Sequence, residues 1–513
     1  MAVTPLSSLN TSLSNSLSGL RAAQSGIETV SRNVGNANSE FYTRKIQNQL
    51  PNVVGGVGQG TQLPAVTREV DLYLQRDARD SSSRTARVGV INEFLGRLEK
   101  LYGQPGDDLS LGGRMSALRS GFEDLTNHPD NTASQTDVFN KATALKDNLN
   151  SLSSNIQAYR TQVEQEIANS VANVNTALTN IQSLNTEIAK NRNTGLTTAD
   201  LEDQRDQQVA NLAKEMGIQT FVRADGRLAV LTESSRFLLD QTATTASFTQ
   251  KGTIVASDAY VPTGLPAAGF NATLGGITIP NPAGGAALDI TSSITRGRLA
   301  GLFTLRDTVL PQAQAQLDEQ AARLTLAFEG TGTGYAGTAI TVFSDNAAAV
   351  GPPAAQFTNT AANIVGYSGR ITTNPIFNTA GNLWRLRDGT NSTAVATEST
   401  FRGDQTQLRS VLTMFETAQT CAAAVLLGTS NTLEAAANGF TGYQATQTAT
   451  YQAALVDQNT VTEALKERLR DQSDVNVDDE LGRMIQLQNS YSASARVMTT
   501  VTQMFDELLR IGQ

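Results

Sequence analysis

The chain has 513 residues, a formal net charge of −9 and 17 % charged residues, which is length for roughly three or four domains and too acidic a balance for a general nucleic-acid binder. One cysteine, Cys421, and one histidine, His128, exclude an internal disulfide framework and a Cys/His zinc site. No lysine or arginine precedes Arg21, and no apolar run approaches the roughly 18 residues of a membrane span, so neither a basic secretory leader nor a spanning helix is expected.

The N-terminal segment places Leu6, Leu9, Leu13, Leu17 and Leu20, then Ile27, Val30 and Val34, on three- and four-residue steps or their sum. That spacing predicts a helix with one apolar face turned to a partner. Serine and asparagine fill its other positions, so the helix has little stability of its own and depends on packing. The stretch "NVGNANSEFYTRK" (Asn33–Lys45) ends it, because Asn and Gly tolerate left-handed backbone and Asn competes for backbone hydrogen bonds. The Gly-rich run from Pro51 to Pro64 reads as loop or short hairpin. Residues 1–70 are thus expected to be a helix followed by a loop.

Helical spacing returns at about Asp71 with Ile91, Phe94, Leu98 and Leu101, breaks at "YGQPGDD", and resumes from Leu111 to Leu125. The strongest signal follows. From Leu145 to Ile188 apolar residues alternate steps of three and four, with four-residue steps around Val163–Val171 that locally unwind a supercoil. At about 1.5 Å per residue this rod is roughly 65 Å long, a length suited to an elongated protein. "TTADLEDQRDQQVANLAKEMGI" adds a helix that is acidic in its first turn and closed by Gly217. Residues 71–218 are expected to form a long helical bundle.

"FVRADGRLAVL" reads as a hairpin around Asp225-Gly226, and "RFLLD" as a further strand. Between Thr242 and Leu288 only Lys251 and Asp258 carry charge, and a β-rich domain is expected over 219–296. Helix resumes over 297–329, with Pro311 kinking it or starting a second segment. A second Gly/Thr-rich β domain is expected over 330–403, with "AITVFS" and "GRITTN" strand-like. Helices of the bundle return over 404–474. The last segment, 475–513, carries Leu481, Met484, Gln488, Tyr491, Ala495, Met498, Thr502, Phe505 and Leu509 on three- and four-residue steps. Asp478, Asp479 and Glu480 in its first turn suit the helix dipole. The fold class expected is α+β and multidomain: an elongated coiled-coil bundle of terminal and middle helices with inserted β-rich domains. The first and last stripes are natural partners for one another.

No phosphate-binding loop, dinucleotide fingerprint, H-E-x-x-H or C-x-x-C occurs. "GTGTGYAG" (Gly330–Gly337) lacks a following Lys-Ser/Thr and reads as a turn. His128, in "LTNHPDN", reads as a surface-loop histidine, and Cys421, in "CAAAVLLG", as a small buried hydrophobe. The acid pairs Asp107/Asp108 and Asp478/Asp479 are the groups a glycosidase would use, but adjacent acids at a loop or helix start are usually solvated or capping groups. No catalytic residue, cofactor or metal is assigned, and no enzyme activity is expected. The terminal stripes are different. On pattern alone they make an ordinary intramolecular pair, yet their polar faces are rich in Ser, Thr, Asn and Gln and poor in charge, which suits packing against copies of the chain or a partner.

At these two ends the sequence resembles the rod/hook family of axial proteins of the bacterial flagellum. "SLSGLRAAQSGIETVSRNVGNANSEFYTRK" is similar to the family's Leu-Ser-rich helix followed by Asn-x-x-Asn-x-x-Thr-x-x-Tyr-x-Arg, which falls here on Asn33, Asn36, Ser39, Tyr42 and Arg44. The family usually carries Pro-Gly before the tyrosine; Glu40-Phe41 stands there in this chain, a departure that bears on the local turn. "VNVDDELGRMIQLQNSYSASARVMTTVTQMFDELL" is similar to the family's C-terminal pattern, through Val475, Asn476, Asp478, Gln488, Tyr491, Ala493, Ser494, Ala495, Arg496, Phe505, Leu508 and Leu509. "DLEDQRDQQVANLAKEMGI" and "GRLAGLFTLRDTVLPQAQAQLDEQAARLTLAF" look like the middle helices of the hook-associated members.

The resemblance implies a non-enzymatic structural protein, exported through the flagellar type III apparatus and built into a ring between hook and filament. Its partners would be itself, as a ring homo-oligomer, hook subunits, and a further hook-associated protein or filament subunits, with an export chaperone at the C-terminal helix. Neither nucleic acid nor membrane insertion is implied. The assembly surface expected comprises Leu6, Leu9, Leu13, Leu20, Ile27, Val30, Val34, Asn36, Tyr42 and Arg44 at one end. At the other it comprises Leu481, Met484, Gln488, Tyr491, Ala495, Arg496, Met498, Phe505 and Leu509. The rival readings are another axial protein (a hook or filament subunit), a secreted adhesin, and a peptidoglycan hydrolase.

Overall fold

The computed structural model describes residues 5–39, 41–54, 57–104, 106–262, 266–329, 341–345, 360–379, 381–389, 398, 400–420 and 430–511. Helix α1 (Pro5–Asn36) comes first. Strand β1 (Lys45–Ile46) pairs antiparallel with β4 (Thr67–Arg68), and between them β2 (Leu50–Val54) and β3 (Val57–Gln62) form a hairpin laid on α1. Ser18 Oγ accepts a hydrogen bond from the Thr61 amide (3.1 Å). Gly60 beside it has φ +94°, and a Cβ there would fall 2.0 Å from Ser18 Oγ, so glycine is what lets the hairpin close on the helix.

Helix α2 (Leu72–Tyr102) starts at Asp71, whose carboxylate accepts from the Tyr73 and Leu74 amides, and α3 (Leu111–Asn127) starts at Ser110. Helix α4 (Thr132–Asn193) is capped by Asn131 and runs for 62 residues, about 93 Å at 1.5 Å per residue. Helix α5 (Ala199–Glu215) packs back along it. Most of the apolar steps along α4 are buried, with Tyr159 and Leu184 half-buried, and the polar residues set among them dock later segments. Asn185 donates to the Leu228 carbonyl (2.8 Å) and accepts from the Leu228 amide (2.9 Å). Asn175 does the same with Ala246 (2.8 and 2.9 Å). Arg160, fully buried, donates to the carbonyls of Val255 (3.1 Å) and Asp258 (2.7 Å). A carboxamide offers one donor and one acceptor as a strand edge does, so α4 binds backbone without being a strand.

The strands held this way are few and short. β5 (Ile218–Val222), β6 (Leu228–Thr232) and β7 (Phe237–Leu239) form an antiparallel meander. β8 (Asp258–Tyr260) pairs parallel with β9 (Asn271–Leu274), and β10 (Thr278–Ile279) antiparallel with β11 (Leu288–Asp289). Such small sheets need a helical surface to be stable, and Val230, Leu238, Leu239, Ile277 and Ile279 join the core of the helices. Helices α6 (Gly297–Thr304) and α7 (Leu310–Glu329) are joined by a π turn at Leu305–Val309. The turn precedes Pro311, which has no amide to donate back into it. Within it Arg306 is fully buried and pairs with Glu164 (3.0 Å) and Asp307 (2.7 Å).

Beyond α7, β12 (Phe343–Asp345), the single turn α8 (Ala361–Ile364), β13 (Ile371–Thr373) and the single turn α9 (Arg385–Asp388) lead to α10 (Thr406–Glu416). β12 and β13 pair antiparallel, as do β14 (Gln419–Thr420) and β15 (Ser430–Asn431). Phe328 of α7 lies 5.7 Å from Phe122, 5.5 Å from Phe343 and 6.1 Å from Phe415, which binds α3, β12 and α10 to it. Gly330–Gly337, the first two residues of "AITVFS" and Cys421 lie outside the described residues, and the rest of "AITVFS" runs into β12. Helix α11 (Leu433–Ser473) runs along α2, and α12 (Val477–Ile511) closes the chain. One connected core runs from Val90 to Phe440, and among the described residues none of α1 or α12 belongs to it. The fold is α+β and multidomain, with long helices at both ends.

Candidate assembly interface

Helices α1 and α12 lie side by side, and small residues make their seam. On α1, Leu9, Ser16, Ala23 and Val30 are buried seven apart, as are Gly26 and Asn33. A Cβ added at Gly26 would stand 2.9 Å from Leu487 Cδ2, and one at Gly19 would stand 3.1 Å from Ser494 Oγ, so the two backbones approach closely. On α12, Glu480, Leu487 and Ser494 face α1, with Val501 buried one heptad further on. Met484, Ala495, Met498 and Phe505 are half-buried.

This phase is not the stripe read from the sequence. Leu481 (45 % exposed), Tyr491 (40 %) and Leu509 (70 %) point outward, as do Gln488, Arg496 and Thr502. On α1, Val30 and Leu9 are in the seam, while Leu13, Leu20, Ile27 and Val34 flank it half-buried; the Leu6 side chain lies outside the described residues. Two heptad phases share Met484, Tyr491, Met498 and Phe505. The one adopted brings the helices closest and carries Glu480 to Asn33.

That meeting is the centre of a buried polar knot. Asn33 Nδ2 donates to the Lys45 carbonyl and to Glu480 Oε2 (2.9 Å each), and its Oδ1 accepts from the Lys45 amide (3.0 Å) and the Tyr42 hydroxyl (2.9 Å). Glu480, also buried, accepts from Arg44 Nε (2.9 Å), whose other arm reaches Glu69 (3.0 Å). The Arg44 amide donates to the Ser473 carbonyl at the end of α11 (2.8 Å). On the far side Lys45 pairs with Asp203 of α5, Thr43 Oγ1 donates to the same carboxylate (2.6 Å), and Arg68 spans Asp203 and Asp206 (2.8 Å each). Asn33, Arg44 and Lys45, with Tyr42 bonded to Asn33, thus fix α1, α5, α11 and α12 to one point.

Burial, helped by the Asp200 carboxylate, pushes the Tyr42 phenol up to about 12, which keeps its proton available to Asn33. Burial works against the Arg44 charge, but Glu480 and Glu69 outweigh it and hold Arg44 above its ordinary value. Asn36 is not part of the knot; its side chain donates back to the Arg32 carbonyl (2.9 Å). Phe41 has φ +66°, so the turn keeps the backbone of the glycine it lacks, at a cost of about 1–2 kcal/mol for a residue with a Cβ.

From the sequence Glu480 is expected only to complement the helix dipole. Asn476 does the capping, accepting from the Asp478 and Asp479 amides (3.0 and 3.4 Å), and those two acids remain exposed. The signal for Glu480 was its phase, seven residues before Leu487. Lys45, Arg68 and Asp203 carry no periodic signal at all. His128 is exposed at the end of α3, 3.4 Å from Asp124. Among the described residues no group of three or more His, Cys, Asp or Glu is placed to hold a metal, and no helix is long and apolar enough to cross a membrane.

Residues 95–335 match the family described as flagellar hook-associated protein FlgK helical domain, and residues 471–511 match flagellar basal body rod FlgEFG protein C-terminal. Flagellar hook-associated protein 1 of Salmonella typhimurium is 27 % identical over 331 residues, 63 % of this chain and 57 % of that protein. The match therefore spans less than two thirds of the relative's length. Flagellar hook-associated protein 1 of Bacillus subtilis is 23 % identical over 524 aligned positions, 96 % of each chain. A solved structure, that of the flagellar hook junction protein FlgK from Burkholderia pseudomallei, aligns with a TM-score of 0.43 and 19 % identity over 53 % of this chain and 46 % of that one.

Proposed function

For a chain that belongs to the flagellar hook-associated protein family, we propose a structural role as a ring-forming adaptor at the hook–filament junction, with α1 and α12 packing against neighbouring subunits. One observation carries this reading: the helix pair puts mostly small residues in its own seam and leaves most of its large apolar ones at the flanks or outside. Leu13, Leu20 and Ile27 remain half-exposed on α1, and Leu481, Ile485 (59 %), Val497 (49 %), Met504 (51 %) and Leu509 remain exposed on α12. From Pro5 to Val30 only Arg21 and Glu28 carry charge, too few to solvate α1 as an isolated helix. Apolar flanks of this kind are suited to being covered by further copies.

In this reading the ring joins hook subunits below to a further hook-associated protein or filament subunits above. Residues 1–70 and 475–513 form the axial part, the helical blocks form the body, and 219–296 and 330–403 project outward. The chain reaches its site through the type III export path, with α12 as the segment a chaperone would hold.

Purified full-length protein mixed with isolated hooks tests the reading by co-sedimentation, beside variants lacking residues 1–45 or 475–513 and the outward-facing variant Leu481→Asp/Ile485→Asp. The full chain should pellet, and the truncations and the double variant should stay in the supernatant. Equal pelleting of the truncations would reject the terminal helices as the surface, and a full chain that ignores hooks would reject the junction.

A further inference from the structure

Beside the knot lies a cleft of roughly 190 Å³ between the turn at Phe41, α2, the end of α5 and the end of α11. Its lining combines the apolar Phe41, Val70 and Leu469 with the cations Arg79, Lys214, Lys466 and Arg470. Lys466 pairs with Glu463 (2.8 Å). Arg79, Lys214 and Arg470 have no carboxylate within 4.0 Å among the described residues. Of the two acids on the walls, Asp206 is taken by Arg68 and Gln75 (2.8 and 2.9 Å), which leaves Asp474. Burial holds the Arg79 guanidinium below its ordinary value, and its side chain reaches Thr220 Oγ1 at 3.3 Å. Cations set among apolar lining residues, in a chain of net charge −9, suit an acidic segment with an apolar anchor. The strained Phe41 in its lining is the kind of local cost that collects at binding sites.

The chain exposes a segment of that chemistry. In the first turn of α12, Val477 (39 % exposed) and Leu481 flank Asp478 and Asp479, both exposed and without a basic partner within 4.0 Å among the described residues. We propose that the cleft of one copy receives the first turn of α12 from a second copy, with Asp478 and Asp479 against Lys214, Arg470 and Arg79, and Val477 against Phe41. The proposal rests on the ring reading above and names one of its contacts. Cleft and turn are different surfaces, so the contact is head-to-tail and propagates from copy to copy, as a ring requires.

The test exchanges charges between exposed residues. Lys214→Glu/Arg470→Glu makes both surfaces acidic, and Asp478→Lys/Asp479→Lys makes both basic. Each variant alone should bind hooks about tenfold or more weakly, since like charges meet at every contact. A 1:1 mixture, in which each acidic surface finds a basic one, should recover to within about twofold of the unaltered chain. Full binding by either variant alone, or a mixture no better than its parts, would overturn the proposal and leave the cleft to a different acidic partner or to none. Thermal unfolding by circular dichroism accompanies each variant; if a reversal unfolds the protein, the neutral pair Lys214→Gln/Arg470→Gln takes its place, with a smaller loss expected. Should the unaltered chain not bind hooks, the ring reading fails separately, and carbodiimide coupling decides the cleft in concentrated solution. Isotopically distinct copies should then join through Lys214 and Asp478 or Asp479, and absence of that link overturns the contact.

Discussion

Glu480 is 1 % exposed and joins three parts of the chain through two oxygens: Asn33 of α1 on one, Arg44 of the following loop on the other, and α12 through its own backbone. Replacing it with alanine leaves a buried carboxamide donor and a guanidinium without their acceptor. Glu480→Ala should therefore destabilise the protein by about 2–4 kcal/mol, with Glu480→Gln costing less. Urea unfolding gives the total, and amide exchange in the first turns of α12 should accelerate with it; an unchanged exchange rate there would mean that the knot does not hold α12. Phe41 allows a cleaner comparison. Both Phe41→Ala and Phe41→Gly lose the ring, but only glycine accepts φ +66° without strain. The glycine variant should be the more stable of the two by about 1 kcal/mol, and the reverse order would show that the turn rearranges.

Between elements, polar side chains do the joining, and one of them titrates. Asp318 of α7 is buried and accepts from the Gly366 amide (2.7 Å), the Ser368 amide (2.9 Å), the Ser368 hydroxyl (2.6 Å) and Gln314 (2.8 Å), which fastens the turn before β13 to the helix. Burial nevertheless pushes its carboxyl up to about 6. A folded-state value above the ordinary one means that the folded protein takes up a proton that the unfolded chain releases. The stabilising contribution is complete below about pH 4 and is lost as pH rises to about 6. The stability difference between the unaltered protein and Asp318→Asn should shrink by about 3 kcal/mol from pH 4 to pH 7. A flat difference across that range would show that the four donors hold the carboxylate ionised.

Over the whole molecule the chain divides into a body with one connected core and a helix pair outside it. The pair is fastened at the knot and along a thin seam of small residues, and by the β2–β3 hairpin at α1. Local stability should fall with distance from Glu480. Amides in the second half of α12 should exchange roughly 100-fold or more faster than those in the middle of α4, where Ile156, Val163 and Ile167 are fully buried. Uniform protection along α12 would mean that the pair needs no neighbour to be stable.

The helices, their order and the α+β class were determined by the sequence itself, because burial on one face imposes a period that local residues record. The steps from Leu145 to Ile188 could hardly mean anything but α4, and the break at Asn33–Asn38 follows from backbone preference alone. The phase of the terminal seam was not recorded that way. Met484, Tyr491, Met498 and Phe505 belong to two heptads at once, and only the fit of Gly26 under Leu487 and Gly19 under Ser494 selects between them. The knot was less legible still. Asn33, Lys45, Asp203 and Glu480 are up to 447 residues apart in sequence, and nothing periodic links them. A hydrogen-bond partner is chosen by position in space, and only the tertiary structure supplies that.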